Sequence, residues 1–143
     1  MRSELVVFLF CAFFTKCVIG QSTVTGKWKT IDDETGQAKS IIEIYKKGSK
    51  YYGKIVEILV GGEEAANCAT CEGKFKGKPL KGIVIMKDLV KDGEEYDEGT
   101  ITDPENGKTY KCKIWLDEDN PNLLNVRGYI LFLYRTQQWV RVS

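Results

Sequence analysis

Histidine is absent from the sequence, and only three of its 143 residues are proline. Without histidine, neither a Ser-His-Asp nor a Cys-His catalytic triad can form, and a histidine-liganded catalytic zinc is excluded. General acid–base chemistry would fall to carboxylates, lysine or tyrosine. The sequence pattern brings no two carboxylates together, so a glycosidase site is not expected either.

An excess of charge of either sign is also missing. The chain carries 21 Lys and Arg against 20 Asp and Glu, which gives a formal net charge of +1. Nucleic-acid-binding proteins usually show a basic surplus, because contacts to phosphate supply much of their affinity. We therefore expect no nucleic-acid partner.

Long apolar runs are scarce, and the one at the N-terminus covers only ten residues, Leu5–Phe14. This run is too short to span a bilayer as a helix, but with Arg2 before it and Gly20 after it, it is typical of a signal peptide. We predict a signal peptide at 1–20 and a single domain at 21–143. The mature protein would be exported, periplasmic or secreted, with no stable membrane anchor.

Apolar and polar side chains alternate along most of the remaining sequence. In Thr109–Leu116, Tyr110, Cys112 and Ile114 share one face, as in a strand with one buried side. A proline and an Asn-Gly pair specify a tight turn in the preceding segment, 103–108. Similar segments predict about eight strands. They cover 24–31, 38–46, 51–60, 83–86, 95–102, 109–116, 123–132 and 136–142.

Consecutive antiparallel strands on this scale form either a sandwich or a closed barrel. Closure removes exposed strand edges, and an eight-stranded up-and-down barrel can hold one small ligand. We predict an all-β, eight-stranded antiparallel up-and-down barrel. Strand parity then indicates the side chains that face a cavity and bind a ligand: Ile42, Ile44, Val56, Ile58, Tyr110, Ile114, Val126 and Ile130, with Trp28 at one end.

The segment Gly26-Lys27-Trp28 resembles the first-strand motif of lipocalins. In that superfamily the tryptophan closes one end of the barrel, and an arginine from the last part of the barrel packs over it. The resemblance implies a closing cluster at one barrel end. Its candidate members are Trp28, Arg135, Trp139 and Arg141.

The mature chain as a whole resembles the bacterial secreted family known as domain of unknown function 2147. The segments that carry the resemblance are GKWKTIDDETGQAKSIIEIYKK, CATC followed by GKFKGKP, DPENGKTYKCKIWL, NVRGYI and RTQQWVRV. The resemblance implies a lipocalin-like (calycin) barrel in an exported bacterial protein, and no established reaction. Tyr134 departs from the small residue expected before Arg135.

Three cysteines, Cys68, Cys71 and Cys112, remain after the predicted cleavage. In an oxidising compartment, Cys68 and Cys71 are expected to form a structural disulfide that pins the long loop. A redox-active pair, a metal site that includes Cys112, and a disulfide from Cys112 to either of the other two are alternatives. Alternation places Cys112 on a buried face, where a thiol behaves as a small hydrophobe.

The long irregular segment 61–81 contains four lysines between Lys74 and Lys81. These lysines could meet anionic lipid headgroups or a carboxylate ligand. The simpler interpretation is a solvated loop whose charge is balanced by acidic residues at 92–98.

The sequence favours a binding protein over an enzyme. We expect no catalytic residues, metal or cofactor, and a small hydrophobic or amphipathic ligand inside the barrel. The alternative is an envelope interaction module with a filled barrel, acting through the 61–81 loop. A third hypothesis is an enzyme that uses the thiols of Cys68 and Cys71.

Overall fold

The structure, a computed structural model, describes residues 22–69 and 71–143. The predicted signal peptide at 1–20 lies outside the described residues. Within these two ranges, eight strands follow one another, with two short helical segments between the third and the fourth. The strands are β1 (Gly26–Ile31), β2 (Ala38–Lys47), β3 (Lys50–Ile58), β4 (Val84–Asp92), β5 (Glu95–Thr102), β6 (Thr109–Leu116), β7 (Leu123–Ile130) and β8 (Leu133–Arg141).

Each strand pairs antiparallel with the next, and β8 returns to β1 to close the sheet. The closing register places Trp28 opposite Arg141 and Lys29 opposite Val140. This topology confirms the predicted eight-stranded up-and-down barrel. Because the turns of such a barrel alternate between its two ends, 32–37, 59–83, 103–108 and 131–132 lie together at one end.

The predicted strand boundaries differ most from the structure at two places. β4 continues to Asp92, well beyond the predicted strand 83–86. The polar residues Lys87 and Asp88 hide this continuation in the sequence, and Asp88 takes a left-handed φ of 60°. Such a residue interrupts the regular alternation without ending the pairing of β4 with β5.

The second wrong boundary lies between β7 and β8. The prediction carried one strand from 123 to 132, whereas β7 ends at Ile130 and β8 begins at Leu133. Leu131 and Phe132 form a two-residue turn, in which Leu131 has a φ of 53°. Apolar residues at both turn positions resemble a continuing strand, because turns are normally marked by Gly, Asn or Asp.

The inward face of the barrel forms one apolar core. Its largest fully buried side chains are Trp28, Ile42, Ile44, Met86, Leu89, Ile114, Leu124, Val24 and Cys112. Most of them come from alternate positions of the strands, as the period of two requires. The core is therefore shared by all parts of the sheet.

The segment between β3 and β4 contains helix α1 (Gly62–Ala66) and a 3-10 turn (Gly73–Phe75). It folds back over the barrel end, where the amide of Leu80 donates to the carbonyl of Ala66 at 2.9 Å. Within the described residues, neither helical segment has the length and apolar character that a membrane-spanning helix requires.

Candidate functional site

One end of the barrel is closed by Trp28. Its side chain is fully buried, and its indole Nε1–H donates to the carbonyl of Val24 at 2.9 Å. The guanidinium of Arg141 stacks over the indole ring, 4.2 Å from the ring centroid. Arg141 also donates to the carbonyl oxygens of Thr23 at 2.7 Å and Thr25 at 3.2 Å. Arg141 thus ties the N-terminal segment across the barrel end.

The backbone at position 26, two residues before the closing tryptophan, requires glycine. It has a φ of 126°, which side-chain-bearing residues rarely adopt. A Cβ atom at this position would also collide with the carbonyl oxygen of Ser143. The Gly26-Lys27-Trp28 motif therefore lets the end of the chain pass close to β1.

The closing arginine is Arg141, and the structure contradicts the closing role predicted for Arg135. Arg135 lies at the other end of β8, where it pairs with Asp33 at the rim. Five residues of β8 lie between the two arginines, a separation of roughly 20 Å along the strand, so they cannot reach the same barrel end. Trp139 is buried, as a closing residue would be, but its side chain lines the interior.

Opposite the closed end, the barrel contains an open cavity of about 780 Å³. Its deep wall is mainly aliphatic and aromatic, with Ile42, Ile55, Ile85, Val126 and Trp139 among its residues. A cavity of this size and composition is typical of a small-molecule site. Side chains therefore leave the barrel interior partly empty, whereas the alternative hypothesis expected a filled barrel.

The residues predicted to face a cavity separate into three groups. The wall includes Ile42, Ile58, Tyr110, Val126 and Ile130. Trp28, Ile44 and Ile114 are fully buried in the core but do not line the cavity. Val56 neither lines the cavity nor lies in the buried core, so the inward orientation predicted for it is wrong.

A bulge in the pairing of β2 with β3 accounts for Val56. Ile41 pairs with Glu57 and the adjacent Ile42 pairs with Ile55, so Val56 is the extra residue between two pairs. Ile55 takes the inward position and is only 2% exposed. Sequence parity could not detect this shift, because the pattern KIVEI is apolar at both 55 and 56.

Two strand glycines have different surroundings. A Cβ at Gly53 would approach the Met86 Cβ to 3.0 Å and the Ile42 Cγ2 to 3.2 Å. A Cβ at Gly128 would meet only the Tyr110 Cβ, at 3.9 Å. Gly128 lines the cavity, so the absence of a side chain there leaves open space inside the barrel.

A small number of polar groups accompany the apolar wall. One hydrogen bond, 2.8 Å long, joins the hydroxyls of Thr30 and Ser40, which line the cavity. The Tyr110 hydroxyl accepts from Asn106 Nδ2 at 3.3 Å. The Nε1–H of Trp139 is buried and has no hydrogen-bond partner among the described residues. An unpaired buried donor is costly, and a bound acceptor would remove that cost.

The rim of the cavity carries more carboxylates than cations. Its acidic residues are Asp32, Asp33, Glu34, Asp103 and Glu105, and its basic residues are Lys39 and Arg135. Lys39 Nζ lies 2.9 Å from Glu105 Oε1 and 3.6 Å from Asp32 Oδ2.

Local hydrogen bonds hold the charges of this rim cluster. The hydrogen bond to Glu105 raises the pKa of Lys39. Backbone N–H groups of Thr35 and Glu34 donate to Asp32 and lower the pKa of its carboxyl. Lys39 and Asp32 are therefore both ionised at neutral pH.

The structure contains the predicted disulfide between Cys68 and Cys71 and the predicted buried thiol of Cys112. Cys68 and Cys71 form a disulfide, with their Cα atoms 5.1 Å apart, and Cys112 is a free buried thiol in β6. The alternatives that pair Cys112 with either partner, or that need the free thiols of Cys68 and Cys71, are not realised in this structure. The disulfide borders the cavity and pins the loop beside the turn at 103–108.

We expect burial to make the Cys112 thiol unreactive. Burial raises the pKa of the thiol to about 12, with a smaller contribution from the Asp97 charge. At pH 8 only about one thiol in ten thousand would be ionised, and the thiolate is the nucleophile. We expect native protein to release almost no colour with Ellman's reagent between pH 7 and 9. Unfolding in guanidinium should expose the Cys112 thiol, and rapid labelling of the native protein at Cys112 would contradict the prediction.

The sequence pattern of the family described as "Uncharacterized protein conserved in bacteria (DUF2147)" matches residues 26–141. In a comparison with solved structures, the chain is similar to a protein of Helicobacter pylori, HP1028, which is described as belonging to the lipocalin family. The TM-score is 0.68 at 20% identity, over 85% of this chain and 84% of that chain. No curated protein matches the chain. The structural likeness shows a shared lipocalin-like fold.

Proposed function

This chain belongs to the bacterial family DUF2147, and we propose that it binds a small hydrophobic or amphipathic molecule inside its barrel. The observation that carries the proposal is the open cavity of about 780 Å³, which has an apolar deep wall and a polar rim. Burying the apolar part of a ligand there contributes roughly 25 cal/mol for each Å² removed from water. The barrel would act as a container with a fixed entrance.

The distribution of polar groups suggests how the ligand lies. The Nε1–H of Trp139, which has no partner among the described residues, can donate a hydrogen bond to an acceptor atom that enters the buried part of the site. At the rim, five carboxylates against two cations favour a neutral or cationic polar end over an anionic one. We infer a ligand whose apolar body lies inside and whose polar end stays near the rim.

We also infer that the protein acts after export and without catalysis. The apolar run Leu5–Phe14 supports export, and so does the disulfide between Cys68 and Cys71, since disulfides persist in oxidising compartments. A binding role agrees with the absence of histidine and with the raised pKa of Cys112. The barrel would hold its ligand without transforming it.

Native mass spectrometry of protein purified from its own host tests the proposal directly. We expect a chain that begins at Gln21 and carries extra mass, which disappears on delipidation. Protein that never carries extra mass, and that also fails to bind the apolar fluorophore N-phenyl-1-naphthylamine, would refute the binding function. A mature chain beginning elsewhere would refute only the cleavage site.

Two substitutions at Gly128 test whether the fluorophore binds inside the barrel, one of them serving as the matched control. Alanine at this position should fit without a collision, whereas phenylalanine would place a ring inside the cavity. We expect Gly128→Phe to weaken fluorophore binding by about tenfold or more, or about 1.4 kcal/mol. Gly128→Ala should bind within about twofold of wild type. Equal binding by both variants would show that the fluorophore lies outside the barrel.

A further inference from the structure

The hairpin between β7 and β8 presents a contiguous apolar surface, here called the apolar tip, formed by residues 130–134. Leu131 is 91% exposed and Phe132 is 87% exposed. The three remaining residues are exposed by more than half, at 55% for Ile130, 63% for Leu133 and 61% for Tyr134. Among the described residues, the other exposed large hydrophobics are Leu59, which directly follows β3, and Val142, which directly follows β8.

Ile130, Leu133 and Tyr134 also border the cavity mouth, but neither the core nor the turn accounts for Leu131 and Phe132. Leu131 and Phe132 are too exposed to contribute to the core, and a two-residue hairpin turn favours Asn and Gly. Leu131 also takes a left-handed φ of 53°, which is unfavourable for a residue with a branched side chain. Clusters of exposed apolar side chains mark interaction sites, so the apolar tip points to a contact outside the chain.

The side chains behind the apolar tip are layered as they are at a membrane interface. Tyr129 and Tyr134 pair across the hairpin, with ring centroids 6.1 Å apart. Below them, the guanidinium of Arg127 stacks 4.2 Å from the Tyr134 ring centroid, and Arg135 lies on the facing strand. Bilayers favour this order: apolar residues lie in the acyl region, tyrosine lies at the level of the headgroups, and arginine lies toward the phosphates.

The far side of the barrel mouth supplies matching charge. The loop between β3 and β4 carries four exposed lysines, Lys74, Lys76, Lys78 and Lys81. This loop and the β7–β8 hairpin lie at the same barrel end, because alternate turns share an end. Lysines at that end can approach anionic headgroups when the apolar tip is inserted. Of the five rim carboxylates at this end, Asp33 is paired with Arg135, and Asp32 and Glu105 are paired with Lys39.

The shape of the tip favours lipid over a protein partner. It is a convex projection two strands wide, whereas a stable contact between two proteins needs roughly 800 Å² from each partner. A bilayer adapts to a convex apolar projection without a preformed groove. We propose that the apolar tip inserts reversibly into the interface of a lipid bilayer and brings the barrel mouth to the membrane surface.

Vesicle co-sedimentation tests the proposal. The vesicles contain phosphatidylcholine and phosphatidylglycerol at 3:1, and all proteins have the same N-terminal form, so that residues 1–20 contribute equally. We expect wild type to bind and Leu131→Ser/Phe132→Ser to lose at least tenfold in partitioning. The matched control Leu59→Ser/Val142→Ser removes two exposed apolar side chains elsewhere and should change partitioning by less than about twofold. Equal losses in the two double variants would overturn the proposal.

Two further measurements distinguish insertion from adsorption at the headgroups and from self-association. With Phe132→Trp, lipids brominated in the acyl chains should quench tryptophan emission more than they do in wild type. Absence of added quenching would overturn insertion. Wild-type protein that fails to bind vesicles, but forms a dimer that the tip variant loses in sedimentation velocity, would assign the tip to a second copy instead. The inference does not depend on the cavity ligand, so Gly128→Phe should bind vesicles as wild type does.

Discussion

Replacing Trp28 with alanine is expected to lower the free energy of unfolding by about 3–5 kcal/mol. The indole is fully buried, its Nε1–H donates to Val24, and Arg141 stacks on its ring. Alanine would leave a cavity at the closed end and remove both contacts at once. For a domain of this size, the loss corresponds to a fall in the melting temperature of roughly 10–20 °C, measurable by circular dichroism.

The matched control is Trp115→Ala in the same sheet. Trp115 is half-buried on the outer face of β6, where Arg127 and Lys113 stack on it at 4.9 and 5.4 Å from the ring centroid. Exposed contacts of this kind contribute about 0.5–1 kcal/mol each. A Trp28→Ala variant as stable as Trp115→Ala would refute the closing role of Trp28.

Replacing Gly99 with alanine is expected to destabilise the barrel by about 1–3 kcal/mol, because it forces an extra atom into a filled site. A Cβ there would lie 2.6 Å from the side chain of Leu89 and 2.7 Å from the carbonyl oxygen of Lys87. Leu89 is fully buried, and the carbonyl belongs to the paired strand β4, so neither can move at low cost. Urea denaturation would measure the effect as a lower midpoint at an unchanged slope.

Gly128→Ala is the control for this prediction as well. Both glycines lie within strands, and neither has a left-handed φ. The Cβ at Gly128 meets only ordinary van der Waals contact, so the substitution should be neutral within about 0.5 kcal/mol. If both alanine variants unfolded at the same denaturant concentration, the close packing of Gly99 against Leu89 would be refuted.

Much of the architecture could be predicted from short-range patterns. The alternation in Thr109–Leu116 places Cys112 and Ile114 inward, and the structure buries both. The tight turn predicted at 103–108 joins β5 to β6. Trp28 was identified from the Gly26-Lys27-Trp28 motif and lies at the closed end, in contact with Arg141. These features need only the period of a strand or the chemistry of a few neighbouring residues.

The two errors in side-chain placement share a physical origin in the register between paired strands. The inward orientation passes from Val56 to Ile55 because of a bulge against β2. The choice of Arg141 over Arg135 depends on which end of β8 meets Trp28 in the closing register. Alternation within one strand does not show which residues of the partner strand lie opposite it, so it leaves the register open.

The amino-acid sequence by itself determined an all-β chain of alternating strands, a buried Cys112 and a tryptophan suited to close a barrel. Only the tertiary structure decided that the interior keeps a cavity and that the apolar residues at 130–134 form an exposed tip. Alternation is a local property, which each strand carries alone. The volume of a cavity depends on how far the side chains of all eight strands fill the closed barrel. Whether a side chain is exposed likewise depends on which distant segments cover it.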